Sequence, residues 1–184
     1  GDHRDLHSFP TRRSSDLMKK ENIPFKGFLY AGVMIKNGVP YVLEFNVRMG
    51  DPECQPITIR MNSDLYDYLN ESVDGTLSSM PPISWNDKIA VCVVLASRGY
   101  PEFYPKNEEI KGLEQHNEGI FVFHAGTKKE NNSILSNGGR VLGVTALGDT
   151  LESAISNAYS ATEKISWPNK YCRSDIGKKG LTFL

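Results

Sequence analysis

The sequence predicts an α+β fold in which most strands are antiparallel. Three observations lead to this prediction: an Asn-Gly pair between two strand-like segments, a short β-branched apolar run that ends in turn residues, and one helix with regular apolar spacing. At 184 residues, the chain is long enough for one sizeable domain or two small ones.

The two segments on either side of Asn37-Gly38 form the first element. Residues 27–36 (GFLYAGVMIK) and 39–47 (VPYVLEFNV) are rich in aromatic and β-branched residues, which is typical of strands. An Asn-Gly pair supplies the two positive φ angles of a type I′ turn. The pattern therefore predicts a two-residue antiparallel hairpin. Counting outward from the turn places Glu44 opposite Ala31.

Turn-prone residues then lead into a helical region. Residues 48–56 (RMGDPECQP) break the strand pattern. Helical spacing follows over about 57–73, with an interruption near Asn62. Ser63 is the predicted N-cap of the second part, and Gly75 is the predicted stop.

Three further strands are predicted in the second half of the chain. Residues 88–97 (KIAVCVVLAS) form a short, mostly β-branched apolar run, which is typical of a buried strand. Residues 119–124 (GIFVFH) and 140–147 (RVLGVTAL) are the other two. Between these last two, residues 128–132 are predicted to form a solvated loop.

The clearest helix covers residues 150–166, where apolar side chains recur at i, i+3, i+4 and i+7. Asp149 is the predicted N-cap, and Glu152 would complete a capping box. The Trp167-Pro168 pair ends the pattern.

The charge and cysteine content exclude several classes of protein. The 21 Lys and Arg residues balance 22 Asp and Glu residues, so the chain lacks the basic surface expected of a nucleic-acid or membrane-surface protein. Its longest apolar run, residues 89–96, is far short of the roughly 20 residues that cross a bilayer. The three cysteines lie far apart, which excludes a paired-cysteine zinc site and favours a reducing, cytoplasmic location.

Residues 1–17 (GDHRDLHSFPTRRSSDL) show neither helical nor strand periodicity. They lack the apolar stretch of a signal peptide, and they resemble the peptide obtained when sequencing-adapter DNA is translated. We therefore predict a non-native or disordered segment here, with Met18 an internal methionine of a longer protein.

A polar stripe on the second hairpin strand is the candidate site. Because side chains alternate along a strand, Glu44 and Asn46 share one face, and Arg48 extends the stripe. One interpretation is an ordinary strand whose polar face meets water. The other is a Mg²⁺ site, since two hard oxygen donors two residues apart suit an ion that also keeps waters and substrate phosphates.

Several strings occur in the order found in a known enzyme family. They are residues 27–35 (GFLYAGVMI), 44–55 (EFNVRMGDPECQ), 63–65 (SDL), 97–101 (SRGYP), 124–128 (HAGTK), 137–142 (NGGRVL) and 172–177 (CRSDIG). Together they resemble the C-terminal half of the phosphoribosylamine–glycine ligase family, also called glycinamide ribonucleotide synthetases, which belong to the ATP-grasp superfamily.

The resemblance implies a fold, a division of the chain and a reaction. Residues 18–80 would be the C-terminal part of an ATP-grasp domain, an antiparallel sheet with helices, and residues 81–184 a small mixed α+β subdomain. The family uses ATP to join glycine to 5-phosphoribosylamine through a glycyl phosphate. Mg²⁺ or Mn²⁺ bridges the phosphates of ATP.

The resemblance also implies roles for individual residues. Glu44 and Asn46 would be the metal ligands, and Arg48 the catalytic residue that stabilises the transferring phosphoryl group. Asp51 and Lys128 would contact substrate, with loop bracing an alternative for Asp51.

Two rival functions stay open at this stage. One is a non-catalytic binding or structural module that kept the fold, and the other is an ATP-grasp carboxylate–amine ligase with a different acceptor. The family's glycine-rich phosphate loop does not precede the hairpin. We therefore expect a C-terminal fragment that is inactive alone.

Overall fold

The structure is a computed structural model that describes residues 16, 18–114 and 118–182. Two compact units are present. The first contains residues up to Gly50 together with Asp64–Pro82, and the second contains Asp51–Ser63 together with the residues from Ile83 onward. The predicted division after residue 80 stays a prediction. The predicted non-native segment, 1–17, lies outside the described residues except for Asp16.

Helices and strands alternate irregularly along the described residues. Beyond residue 50 the helices are α1 (Cys54–Arg60), α2 (Leu65–Asp74) and α3 (Leu151–Lys164), and 3₁₀ turns cover Leu77–Ser79 and Lys178–Thr182. The strands are β1 (Tyr30–Lys36), β2 (Val39–Asn46), β3 (Ile89–Ser97), β4 (Ile120–His124), β5 (Thr127–Glu130), β6 (Ser133–Ser136), β7 (Arg140–Gly148) and β8 (Lys170–Tyr171). All the strand pairs are antiparallel, so the α+β prediction is confirmed.

In the first unit, β1 and β2 form the predicted hairpin. Asn37 and Gly38 have φ angles of 52° and 76°, as a type I′ turn requires. The register differs from the prediction because a β-bulge follows Gly32, where Leu43 of β2 has no partner. Glu44 consequently lies opposite Gly32 instead of the predicted residue, and the counting from the turn was wrong by one position.

Helix α2 begins one residue later than predicted. Asp64 is its N-cap and accepts a hydrogen bond from the Tyr66 backbone nitrogen at 2.9 Å, whereas the predicted cap, Ser63, accepts one from the Ser84 backbone nitrogen instead. Gly75 ends the helix in the left-handed conformation, as predicted. The preceding helix, α1, starts at Cys54, three residues before the predicted start.

The second unit is built on a four-stranded sheet with the order β4-β7-β3-β8. Its two central strands, β3 and β7, are the most buried and confirm the strands predicted there. Alternate residues of β3, which are Val91, Val93 and Leu95, belong to the core. Helix α3 packs on this face through Ala154, Ala158 and Ala161, whose small side chains allow a close approach.

Helix α3 begins with a capping box at a different residue from the one predicted. The Thr150 hydroxyl accepts a hydrogen bond from the Ser153 backbone nitrogen at 3.1 Å, and the Ser153 hydroxyl accepts one from the Thr150 nitrogen at 3.0 Å. The predicted cap, Asp149, forms an ion pair with Lys88 instead. The predicted helix is therefore confirmed, but its N-cap is Thr150 and not Asp149.

A second hairpin replaces the predicted solvated loop at residues 128–132. Strands β5 and β6 pair with each other, and the turn between them is Asn131-Asn132, with φ angles of 45° and 68°. Two successive positive φ angles define the same turn class as Asn37-Gly38.

Within the described residues, no helix has the length and apolar character needed to span a bilayer.

Candidate functional site

Glu44 and Asn46 lie near the end of β2 in the first unit. They stand opposite Gly32 and Tyr30 of β1, respectively. A Cβ atom added to Gly32 would lie 3.0 Å from Cγ of Glu44 and 3.6 Å from its Oε1. The side chain of Glu44 therefore lies across the Gly32 backbone, in space that a larger residue on β1 would occupy.

The two oxygen donors fit a divalent metal that is held by few protein ligands. Glu44 is exposed and Asn46 is half-buried, so both are accessible. Among the described residues, no group of three or more His, Cys, Asp or Glu side chains could hold a metal ion. One carboxylate and one amide oxygen suit an ion such as Mg²⁺, which keeps several waters and takes its remaining ligands from substrate phosphates.

Arg48 follows β2 in the same unit, two residues beyond Asn46. Its Nη1 donates a hydrogen bond to the Met49 carbonyl at 3.0 Å, and the residue is exposed. A guanidinium group carries five N–H donors, so this contact orients Arg48 and leaves further donors for an anionic ligand.

Asp51 belongs to the second unit, where Arg140 holds it. Nη2 of Arg140 lies 3.0 Å from Oδ2 of Asp51, and Nη1 donates to the Asp51 carbonyl oxygen at 3.1 Å. Both side chains are about half exposed. The contact supports the bracing interpretation of Asp51, and a substrate contact stays a prediction.

Lys128 lies on β5 of the second unit and forms an ion pair within its own strand. Its Nζ lies 2.6 Å from Oε2 of Glu130. The neighbouring His124 makes a 3.0 Å contact between its Nδ1 and the Thr127 hydroxyl, which supports a structural role for that ring. A contact between Lys128 and substrate stays a prediction.

The structure reveals two arginines that the sequence reasoning did not select. Arg140 contacts Asp51 as described. Arg173 forms a bidentate pair with Asp175, with 2.8 Å from Nε to Oδ1 and 2.6 Å from Nη2 to Oδ2. The hydrogen bonds from Arg173 lower the pKa of the Asp175 carboxyl. Both arginines lie in strings that carried the family resemblance. The sequence feature that could have pointed to them is an arginine directly after Gly-Gly or directly before Ser-Asp.

Two family models match this chain. The family model for the phosphoribosylglycinamide synthetase ATP-grasp (A) domain matches residues 10–54, and the model for the C domain of the same synthetase matches residues 90–179. Together the two regions cover well over half of the chain.

Curated relatives and a solved structure carry related names. A phosphoribosylamine–glycine ligase from Rhodopirellula baltica is 47% identical over 166 residues, which are 89% of this chain and 38% of that protein. The trifunctional purine biosynthetic protein adenosine-3 of Gallus gallus is 45% identical over 94% of this chain and 17% of its own length. The crystal structure of phosphoribosylamine–glycine ligase from Thermotoga maritima has a TM-score of 0.75 and 35% identity, and the match covers 92% of this chain and 44% of that one.

The fold and these matches define an ATP-grasp protein, and they confirm the predicted C-terminal half of an ATP-grasp domain. The chain belongs to the phosphoribosylglycinamide synthetase family. It spans less than half the length of the relatives described here.

Proposed function

We propose that this chain carries the metal-binding hairpin and the C-terminal domain of an ATP-dependent ligase of purine biosynthesis. In the reaction, the carboxylate of glycine attacks the γ-phosphorus of ATP, and ADP leaves as glycyl phosphate forms. The amine of 5-phosphoribosylamine then attacks the carbonyl carbon and loses a proton. Phosphate leaves, and the amide bond of glycinamide ribonucleotide is formed.

The observation that carries this proposal is the pair of oxygen donors on β2, within the stretch that matches an ATP-grasp domain. Glu44 and Asn46 would hold Mg²⁺ or Mn²⁺, which when bound neutralises charge on the phosphates of ATP. Gly32 contributes by leaving open the space across which the Glu44 side chain extends.

Arg48 would stabilise the phosphoryl group during its transfer. Charge develops on the phosphoryl oxygens during transfer, and a fixed guanidinium beside them stabilises the transition state more than the ground state. The hydrogen bond from Arg48 to the Met49 carbonyl limits the freedom of the side chain before substrate binds.

The substrates under this proposal are small molecules: ATP, glycine and 5-phosphoribosylamine. No disulfide joins Cys54, Cys92 and Cys172, all three of which belong to the described residues. This state suits the reducing cytoplasm in which we expect the enzyme to act.

A chimera tests the ligase activity. The 166 residues of the Rhodopirellula baltica ligase that align with this chain are replaced by the aligned residues of this chain. We expect ATP hydrolysis that depends on both glycine and phosphoribosylamine. A chimera that melts cooperatively but lacks this turnover, in an assay where the parent ligase is active, would contradict the proposal.

The metal assignment has its own test within that chimera. Glu44→Gln should lower turnover by about a hundredfold or more. Removing a residue that only orients a metal ligand can already cost that much, and Glu44 would bind the metal directly. Asp67→Asn, which removes an exposed carboxylate on α2 of the same unit, should leave turnover unchanged. Equal turnover in both variants would remove Glu44 from the metal site.

Metal binding can also be read in the present chain without any catalysis. We expect paramagnetic Mn²⁺ to broaden the amide NMR signals of Gly32, Glu44 and Asn46, because Glu44 and Asn46 carry the donors and Gly32 lies opposite Glu44. The Glu44→Gln variant should lose this selective broadening, whereas Asp67→Asn should keep it.

A further inference from the structure

Phe103 is the most exposed of the large apolar side chains that the structure describes, with 92% of its surface accessible. It lies in the segment that follows β3 in the second unit, between Glu102 and Tyr104. An exposed apolar side chain by itself is common on protein surfaces. Here, however, the backbone around Phe103 is fixed, and the same unit carries a pocket that an aromatic ring fits.

Short-range contacts fix the loop that carries Phe103. Gly99 has a φ angle of 103°, and a Cβ atom there would lie 2.1 Å from the Phe103 carbonyl oxygen. The Glu102 nitrogen donates to the Gly99 carbonyl at 2.9 Å. The rings of Tyr100 and Tyr104 meet edge to face, with 6.0 Å between their centroids. The backbone that presents Phe103 is therefore ordered before a partner binds, which reduces the entropy lost on binding.

A pocket of about 350 Å³ lies elsewhere on the second unit, and we call it the Trp85 pocket. Its mostly apolar lining consists of Pro56, Ile57, Arg60, Trp85 and Ala90. Ile57 and Trp85 are each more than a third exposed, although both are large and apolar. Apolar cavities of about 150 Å³ already hold benzene, so the Trp85 pocket has room for a phenylalanine ring. Trp and Arg are also enriched among the residues that dominate the energy of protein interfaces.

The charges beside the ring and beside the pocket are opposite. Glu102 precedes Phe103 and is exposed. Arg60 lines the pocket, where its Nε and Nη2 donate to the Asn86 carbonyl at 3.3 and 3.1 Å. Within the described part of the chain, neither Glu102 nor Arg60 forms an ion pair. Because a guanidinium carries five donors, Arg60 can still bind a carboxylate that arrives with the ring.

The chain does not place its own Phe103 in its own Trp85 pocket. The pocket includes Ala90, the second residue of β3, whereas Phe103 lies beyond Ser97, the last residue of that strand. Seven steps along an extended strand separate these two ends by about 23 Å. A ring in the pocket would therefore come from a second copy. The net charge of −1 leaves little repulsion between two copies.

We propose that two copies of this chain form a dimer in which Phe103 of each copy enters the Trp85 pocket of the other. Glu102 pairs with Arg60 across the interface. A two-fold axis makes the two contacts equivalent, so each contact forms twice and the assembly is closed. The dimer is a property of the second unit, and it does not depend on the proposed ligase function.

The experiment is sedimentation velocity of the 184-residue chain between about 5 µM and 0.5 mM, a range that covers weak protein association. We expect a concentration-dependent equilibrium between monomer and dimer, with a dissociation constant in the micromolar range. A chain that stays monomeric over the whole range would overturn the proposal. Species that keep growing beyond a dimer would overturn the closed two-fold arrangement.

Two variants and one control locate the interface. Phe103→Ser and Trp85→Ala should each weaken the dimer about tenfold or more, and the exposed Phe103 should be replaceable without a change in melting temperature. The control is Ile35→Ser, which removes a 71% exposed apolar side chain from β1 of the first unit. It should leave the dissociation constant within about twofold. Association that is lost with Ile35→Ser and kept with Phe103→Ser would overturn the proposal.

Charge reversal tests whether the ring side and the pocket side meet each other. Glu102→Arg and Arg60→Glu should each weaken self-association, because like charges then face each other in both contacts. An equimolar mixture of the two variants should recover association, since every contact in the mixed dimer joins opposite charges. No gain of association on mixing two folded variants would overturn the pairing of Glu102 with Arg60.

Discussion

Arg140 contacts Asp51 through both the side chain and the backbone of the aspartate, although 89 residues separate the two along the chain. The carboxylate contact is an ion pair, and the carbonyl contact is a charge-assisted hydrogen bond to the backbone. Because the backbone itself is held, Arg140 constrains the course of the Gly-Asp-Pro-Glu loop in addition to pairing with its charge.

Arg140→Gln should destabilise the chain more than Asp51→Asn. Asp51→Asn keeps the backbone contact and loses a half-exposed ion pair, so the free energy of unfolding should fall by about 1 kcal/mol or less. Arg140→Gln loses both contacts and should cost about 1 to 2 kcal/mol. Urea unfolding of the two single variants and the double variant measures these values. A larger loss for Asp51→Asn than for Arg140→Gln would contradict the geometry.

Local chemistry made parts of the fold predictable. Asn and Gly both readily adopt the positive φ angles that the turn at residues 37 and 38 needs. The apolar run of β3 is stable only when it is buried, so its sequence predicts a core strand. The pairing of Glu44 with Asn46 was predictable for the same reason, since residues two apart on a strand lie on the same face whatever surrounds them. The β-bulge at Leu43 was hidden because a count from the turn assumes an unbroken ladder.

Long-range contacts were the part that the sequence concealed. Asp51 and Arg140 come together only through the pairing of strands and the docking of α1, which no local period encodes. The hairpin of β5 and β6 was missed for a different reason: its strands are short and polar, and its Asn131-Asn132 turn looked like solvated loop. The left-handed preference of asparagine was the signal available there.

The first turn of α3 gives a direct comparison between the predicted and the observed cap. Thr150→Ala removes the hydroxyl that accepts from the Ser153 nitrogen, and we expect a loss of about 1 kcal/mol in the free energy of unfolding. Asp149→Ala removes an exposed ion pair with Lys88, for which we expect about 0.5 kcal/mol or less. Chemical denaturation measures both. If Asp149→Ala proved the costlier change, the capping box at Thr150 would be wrong.

Gly139 should tolerate no side chain while Tyr100 is present. A Cβ at residue 139 would overlap the Tyr100 ring near its base, where the ring cannot swing away cheaply. We expect Gly139→Ala to destabilise the chain by about 1 to 3 kcal/mol. In a Tyr100→Ala background the same change should cost much less, because the overlapping atoms are gone. Equal costs in the two backgrounds would show that the ring does not lie on Gly139.

Cys92 should make stability depend on alkaline pH. Burial raises the pKa of the Cys92 thiol above its ordinary value. The folded state thus holds this proton more tightly than the unfolded state. The associated stability is fully present below the ordinary thiol pKa of about 8.5, and it is lost as pH rises through the raised pKa.

Comparison with an alanine variant isolates this effect from all other titrating groups. Cys92→Ala should lower the free energy of unfolding at pH 7 because it leaves a cavity. It should also flatten the decline in stability between about pH 8 and pH 10. The contributions of Tyr159, whose pKa is also raised by burial, and of the remaining groups are common to both proteins and cancel in the difference. Parallel stability curves for the two proteins would mean that the Cys92 thiol ionises as readily in the folded chain as in the unfolded one.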